Sequence, residues 1–158
     1  MNQSFSSYTA GRSPGLPDPD LRPEFYAGVA AKRFFAWIID LLLVGIATGV
    51  AAILTLGIGF FFLPVIFFLL DMLYRLSTLS GRGATLGHRL MGIEFRDRLG
   101  ARPNLGAAVL LTLGYYISTA FIIPQLLSAL TVLLSARRQS LTDFVLGTAA
   151  INRPASSW

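Results

Sequence analysis

The chain has no cysteine, a single histidine and few charges. Without cysteine there are no disulfides, thiolate metal sites or cysteine nucleophiles. His88, standing alone, offers little to a multi-histidine metal centre or to a Ser-His-Asp triad within one chain. No metal and no cofactor is expected. Only 13% of the 158 residues are charged while 54% are hydrophobic, a balance far from that of a soluble domain of this length. The composition is that of an integral membrane protein.

The apolar residues fall in three blocks, at about 34–56, 58–79 and 105–134. Each exceeds the ~18 to 20 residues that a helix needs to cross about 30 Å of hydrocarbon. Residues 1–24, rich in Ser, Pro, Gly and Asp, contain no apolar stretch of the kind found in a cleaved secretory signal. They are expected to form a disordered N-terminal tail, with the first block acting as the targeting element and residues 153–158 forming a short C-terminal tail. The membrane domain is expected over 25–152. A net charge of +5 would suit nucleic acid, but the basic residues flank the apolar blocks, so positive-inside topology explains them and no nucleic-acid partner is expected. Lys32 and Arg33 precede block one, Arg75, Arg82, Arg89, Arg96, Arg98 and Arg102 end or follow block two, and the turn from Thr55 to Gly59 is uncharged. Blocks one and two therefore read as a helical hairpin with both open ends cytoplasmic.

Block three, LGAAVLLTLGYYISTAFIIPQLLSALTVLL, is followed by Arg137 and Arg138, which a single crossing would place outside. Two crossings would need about 40 residues. Gly114 and Pro124 interrupt the block, and a proline inside a helix removes a hydrogen bond and permits a kink or break. The expected fold is thus an all-α membrane protein: a transmembrane hairpin plus a third, Pro-kinked or broken element that returns the C-terminus to the cytoplasmic side. A single tilted helix with its C-terminus outside is the alternative. Between blocks, GIEF reads as extended with a turn near Leu99 and Gly100. The piece GATLGHRL reads as an interfacial helix with Leu86 and Leu90 toward lipid and His88 and Arg89 toward headgroups.

An ionised Asp inside a span costs at least a few kcal/mol by insertion scales, so Asp40 and Asp71 each need a partner or a task. Arg33 and Asp40, seven residues apart, share one helix face within about 20° but lie roughly 10 Å apart along the axis, too far for contact. Asp71 and Arg75 are an i,i+4 pair. Packing the hairpin through these faces would set two carboxylates beneath two guanidiniums. That arrangement is either an ion-pair staple fixing helix register or a pair of carboxylates whose titrations split so that one accepts a proton.

With ARRQSLTDFVLGTAAIN after the last block, carrying Arg138, Leu141, Asp143, Gly147 and Thr148, the chain resembles the RDD family of bacterial membrane proteins over about 25–152. That family is named for an arginine opening its first helix, an aspartate within it and an aspartate near the C-terminus, matched here by Arg33, Asp40 and Asp143. The segment TLGHRLMGIEFRD resembles the family's T-x-G-K-x-x-x-G-I-x-V-x-D through Thr85, Gly87, Met91 to Ile93 and Asp97. His88 stands where the family commonly has Lys, and Thr142 where His often precedes the final Asp. The resemblance implies ligand transport or cation/proton exchange.

The expected ion- or proton-handling residues are accordingly Asp40, Asp71 and Asp143, with Arg33, Arg75 and Arg138 as their charge partners and a monovalent cation or proton as the species handled. One chain shows no internal repeat, so transport calls for a homo-oligomer, and Gly45-x3-Gly49 offers a close-packing face. The other reading is a non-catalytic module of the bacterial inner membrane that assembles with or regulates another membrane complex. A membrane enzyme acting on lipid ranks last, since no nucleophile–base or metal-ligand constellation is visible, and the chain is expected not to be an enzyme.

Overall fold

The structure, a computed structural model, describes residues 15–153. Its helices are α1 (Val29–Leu54), α2 (Leu63–Arg82), α3 (Leu86–Leu90), α4 (Leu105–Ala120), α5 (Ile122–Leu134) and α6 (Leu141–Leu146), and its strands are β1 (Ile93–Arg96) and β2 (Ala149–Asn152). A 3-10 turn, Ile58–Phe62, joins α1 to α2. Both α1 and α2 are long and apolar enough to cross a membrane. They form the expected hairpin, with α1 beginning five residues before block one and α2 continuing to Arg82.

Small and polar side chains face inward and large apolar ones outward. On α1 the buried stripe is Ala36, Asp40, Val44, Thr48 and Ala52, one residue per turn, while Leu42, Ile46, Val50 and Ile53 are exposed. On α2 the stripe is Asp71, Arg75 and Leu79, with Val65, Leu69 and Leu73 exposed. Spacing of four keeps each stripe on one face. Exposed leucine, isoleucine and valine on helices of spanning length are what lipid solvates.

The third block breaks between α4 and α5 by 118°. The break falls at Phe121, whose backbone is extended, and not at Pro124 itself. Pro124 sits in the first turn of α5, where its missing N–H costs nothing, and its ring would collide with the Ala120 carbonyl in a continuous helix. Ala120 is where α4 ends. Both ends of the bent pair lie at one end of the hairpin: β2 pairs antiparallel with β1, from Ile93 opposite Asn152 to Arg96 opposite Ala149, and Asp143 meets Arg33 near the start of α1. The bent pair therefore returns the chain to the end of the hairpin where it began, and one continuous tilted helix is set aside.

A small sheet was not expected from AAIN. One face of it, Ile93, Phe95 and Ala150, packs with Val29, Leu79, Ala108 and Leu111, and the other, Ala149 and Ile151, packs with Tyr26, Leu16 and Phe25. Gly83, at φ 68°, turns the chain out of α2 so that its carbonyl accepts from the Phe95 amide at 2.7 Å. Residues 1–14 of the expected tail, and 154–158, lie outside the described residues. The rest of that tail folds back: Leu16 packs against the sheet, and the Tyr26 hydroxyl donates to the Pro17 carbonyl at 2.8 Å.

Helix α3 lies across α1 with Gly87 and His88 buried against it, while Leu86 and Leu90 are exposed on the outer side as expected. A Cβ on Gly87 would overlap the Ala36 carbonyl oxygen and come within 2.7 Å of Asp40 Oδ1, so only glycine permits this approach. Gly45 and Gly49, by contrast, have nothing within 4 Å of a Cβ position. Gly87→Ala is expected to destabilise the protein by about 1–3 kcal/mol through overpacking, whereas Gly45→Ala leaves the monomer fold intact; thermal unfolding in detergent compares the two. Single cysteines at Leu99 and Ala136 are expected to react with an impermeant reagent from one side of the membrane and a cysteine at Leu56 from the other. Labelling of Ala136→Cys from the same side as Leu56→Cys would show that α4 and α5 cross.

Candidate functional site

Three buried carboxylates organise the end of the hairpin that bears the basic residues. Asp40 is 1% exposed, Asp71 4% and Asp143 1%. Each is held by a different donor set.

Asp40 accepts from the Tyr74 hydroxyl at 2.5 Å and the Gly87 amide at 2.8 Å on Oδ1, and from the Thr85 hydroxyl at 2.6 Å on Oδ2. None of these donors is charged. Tyr74 also accepts from the Leu86 amide at 2.8 Å, so one phenol ties α2 to both α1 and α3. Thr85 is the N-cap of α3 and accepts from the His88 amide at 3.2 Å. Its oxygen lies 2.5 Å from His88 Nδ1, which is 3.8 Å from Asp40 Oδ2.

Asp71 accepts from Arg75 Nε at 2.9 Å and from the Tyr116 hydroxyl of α4 at 2.6 Å. The Arg75 guanidinium lies 3.8 Å from the centre of the Tyr115 ring, a cation–π contact, and Tyr115 in turn accepts from Trp37 Nε1 at 3.0 Å. The result is a belt of polar contacts from α1 through α4 to α2.

Asp143 accepts from Arg33 Nη1 at 2.6 Å, from the Ser140 amide at 2.9 Å and from the Thr148 hydroxyl at 3.1 Å. With Ser140 it forms a capping box on α6, so the same carboxylate closes a helix start and fastens that helix to α1. Arg138 enters this site through its carbonyl, 3.3 Å from Arg33 Nη1, while its guanidinium donates to the Leu133 carbonyl. As a charge partner Arg138 is thus corrected: it supplies a backbone acceptor.

Asp40 and Asp71 share no donor, so they do not sit together beneath two guanidiniums. Arg33 pairs with Asp143 and Arg75 with Asp71, leaving Asp40 without a cation at hydrogen-bonding distance. Three carboxylates thus face two guanidiniums and a histidine. The expected headgroup position of His88 is also corrected: the ring is buried, 5.1 Å from the Phe95 ring. Burial first, then the Arg33 and Arg75 guanidiniums, hold its pKa down from 6.5 to about 3, so the imidazole is neutral at pH 7. Because the unfolded chain binds that proton near 6.5 and the folded chain does not, this group's contribution to stability falls as pH drops from 6.5 toward 3.

Tyr74 and Tyr116 were missed in the sequence, where the one signal was a phenol inside an apolar span. Ser140-x-x-Asp143 carried a capping-box signature that identifies the second role of Asp143. Glu94, fully buried on β1, was also missed: Arg96 donates to it, and Arg102 and Arg153 stand 3.8 and 3.6 Å away. That cluster closes the sheet end. Among the described residues no group of His, Cys, Asp and Glu could hold a metal ion.

Two helices of spanning length, a bent apolar helix pair and buried charges at one end define a small multi-pass membrane protein. The model of the RDD family matches residues 27–147, and the chain belongs to that family. Comparison with the curated proteins and with the solved structures found no match.

If Arg33 and Asp143 fasten α6 to α1, Arg33→Ala and Asp143→Ala should each cost about 3–5 kcal/mol, because either leaves a buried charge unpaired, and the double change should cost clearly less than their sum. A double-mutant cycle on unfolding in detergent measures this. Additive costs would mean the pair carries no coupling.

Proposed function

We propose that this protein is a proton-coupled ion transporter of the bacterial inner membrane, working as a homo-oligomer, in which Asp40 takes up and releases the proton and a monovalent cation is the exchanged species. The observation that carries this reading is that Asp40 alone among the three carboxylates has no guanidinium at hydrogen-bonding distance. Asp71 and Asp143 are each bonded to an arginine. At Asp40, uncharged donors stabilise the carboxylate without neutralising it, so the site keeps one negative charge in a region where net charge is costly. A single proton removes that charge. This is the property that a coupling group requires, because its occupied and empty forms must both be accessible as access alternates.

The homo-oligomer is inferred from size, with two helices of spanning length and one bent pair in the chain, and from the open Gly45 and Gly49 face of α1, which permits close approach of a second backbone. The other reading, a non-catalytic module that assembles with another membrane protein, is favoured by one observation: the Asp40 contacts tie α1, α2 and α3 together, as a purely structural clasp would.

Asn keeps the shape and hydrogen bonding of Asp while losing the charge. Asp40→Asn is expected to leave expression and melting temperature near wild type and to abolish pH-gradient-driven cation flux in proteoliposomes. Wild-type protein with no flux of Na⁺, K⁺, Li⁺ or H⁺, together with a lowered melting temperature for Asp40→Asn, would establish the clasp instead.

A further inference from the structure

Resting on the reading of Asp40 as the proton-accepting carboxylate, we infer that His88 and Thr85 form the relay through which the proton reaches it. The hydrogen-bond capacity of one oxygen carries the argument. A threonine hydroxyl has one proton and two acceptor sites. Thr85 Oγ1 gives its proton to Asp40 Oδ2 at 2.6 Å and accepts from the His88 amide at 3.2 Å. Its contact with His88 Nδ1 at 2.5 Å therefore fills the second acceptor site, and Nδ1 must carry the ring proton. With Asp40 ionised, His88 is the Nδ1–H tautomer. Nε2 is left with a free lone pair, no protein partner for it is found among the described residues, and the residue keeps 8% of its surface open.

The transfer balances. A proton bonds to Nε2, the Nδ1–H proton passes to Thr85 Oγ1, and the original Thr85 proton passes to Asp40 Oδ2. The donor chain then points the other way: Asp40 donates to Thr85, Thr85 donates to Nδ1, and His88 is the Nε2–H tautomer. No group ends with two protons or none, and no carbon or nitrogen framework bond changes.

The charges around the ring suit passage and not storage. Asp40 and Arg33 face it from α1 and Tyr74 and Arg75 from α2, while β1 contributes the uncharged Phe95 ring. The two guanidiniums and burial disfavour a resting imidazolium. A proton arriving at Nε2 is therefore handed on to the one negative group within reach.

Asp40→Asn supplies a direct test, because Oδ1 and Oδ2 have different duties. The asparagine oxygen must take the Oδ1 position, where Tyr74 and Gly87 both donate, which puts its amide nitrogen opposite Thr85. That nitrogen donates, so Thr85 must turn its proton to Nδ1, and the histidine must become the Nε2–H tautomer. The chain has one histidine, so ¹⁵N-histidine labelling of the full-length protein in detergent micelles at pH 7 reports on this ring alone. The expected result is protonated Nδ1 in the wild type and protonated Nε2 in Asp40→Asn. An imidazolium or an Nε2–H ring in the wild type, or the same tautomer in both proteins, would overturn the relay. The second arm is proton flux in proteoliposomes. His88→Asn keeps a donor for Thr85 but cannot pass a proton across a ring, so flux should fall by about a hundredfold, a usual contribution of a placed acid–base group, with the melting temperature unchanged. Wild-type flux in folded His88→Asn overturns the relay and leaves the transport reading standing. Absence of flux in the wild type overturns both.

Discussion

A carboxylate placed in the membrane half of a helix must be given donors or it will not stay ionised there, and that requirement at Asp40 shapes the surrounding architecture. No donor on α1 itself reaches it. Tyr74 comes from α2, while Thr85 and Gly87 come from the short helix that follows. To bring the Gly87 amide within 2.8 Å, α3 must press onto the α1 backbone at Ala36, which in turn demands a residue without a Cβ. Satisfying one oxygen pair thus fixes the seat of α3, the exit angle from α2 at Gly83 and the burial of His88.

The remaining charges extend the same principle outward with a different chemistry. Asp71 and Asp143 are each bonded to a guanidinium, and each also accepts from a hydroxyl on another segment, Tyr116 for Asp71 and Thr148 for Asp143. Through Tyr116 the belt holds α4 against α2; through Arg33 it draws α6 back to the start of α1. Both contacts hold the segment after the spans against the hairpin, on either side of the bend that Pro124 imposes between α4 and α5. A charge that is neutralised by a fixed partner serves assembly. Asp40 is held only by uncharged donors, which is what separates it from the other two.

Hydropathy and charge order made the spans, the hairpin and the broken third element legible, because each depends on composition within one segment: apolar length, flanking arginines, a proline in the middle of a run. The aspartates were visible for the same reason, as charges where charge is expensive. Their partners were not. Tyr74 lies 34 residues from Asp40, Thr85 45, and Arg33 lies 110 from Asp143, and no local periodicity encodes such pairings. The break at Phe121 instead of Pro124 shows the same boundary at smaller scale: proline forbids continuation four residues upstream, so its effect appears before its position.

The sequence by itself determined that this is a membrane protein, which of its segments lie in lipid and which of its residues carry a cost that needs an explanation, since free energies of transfer belong to residues one at a time. Tertiary structure decided which aspartate is left without a bonded cation, that a histidine suited by pattern to the surface is buried beside it, and that AAIN at the C-terminus becomes a strand against GIEF. Those outcomes depend on distances between groups far apart in the chain, and distance is the quantity that electrostatics and hydrogen bonding read.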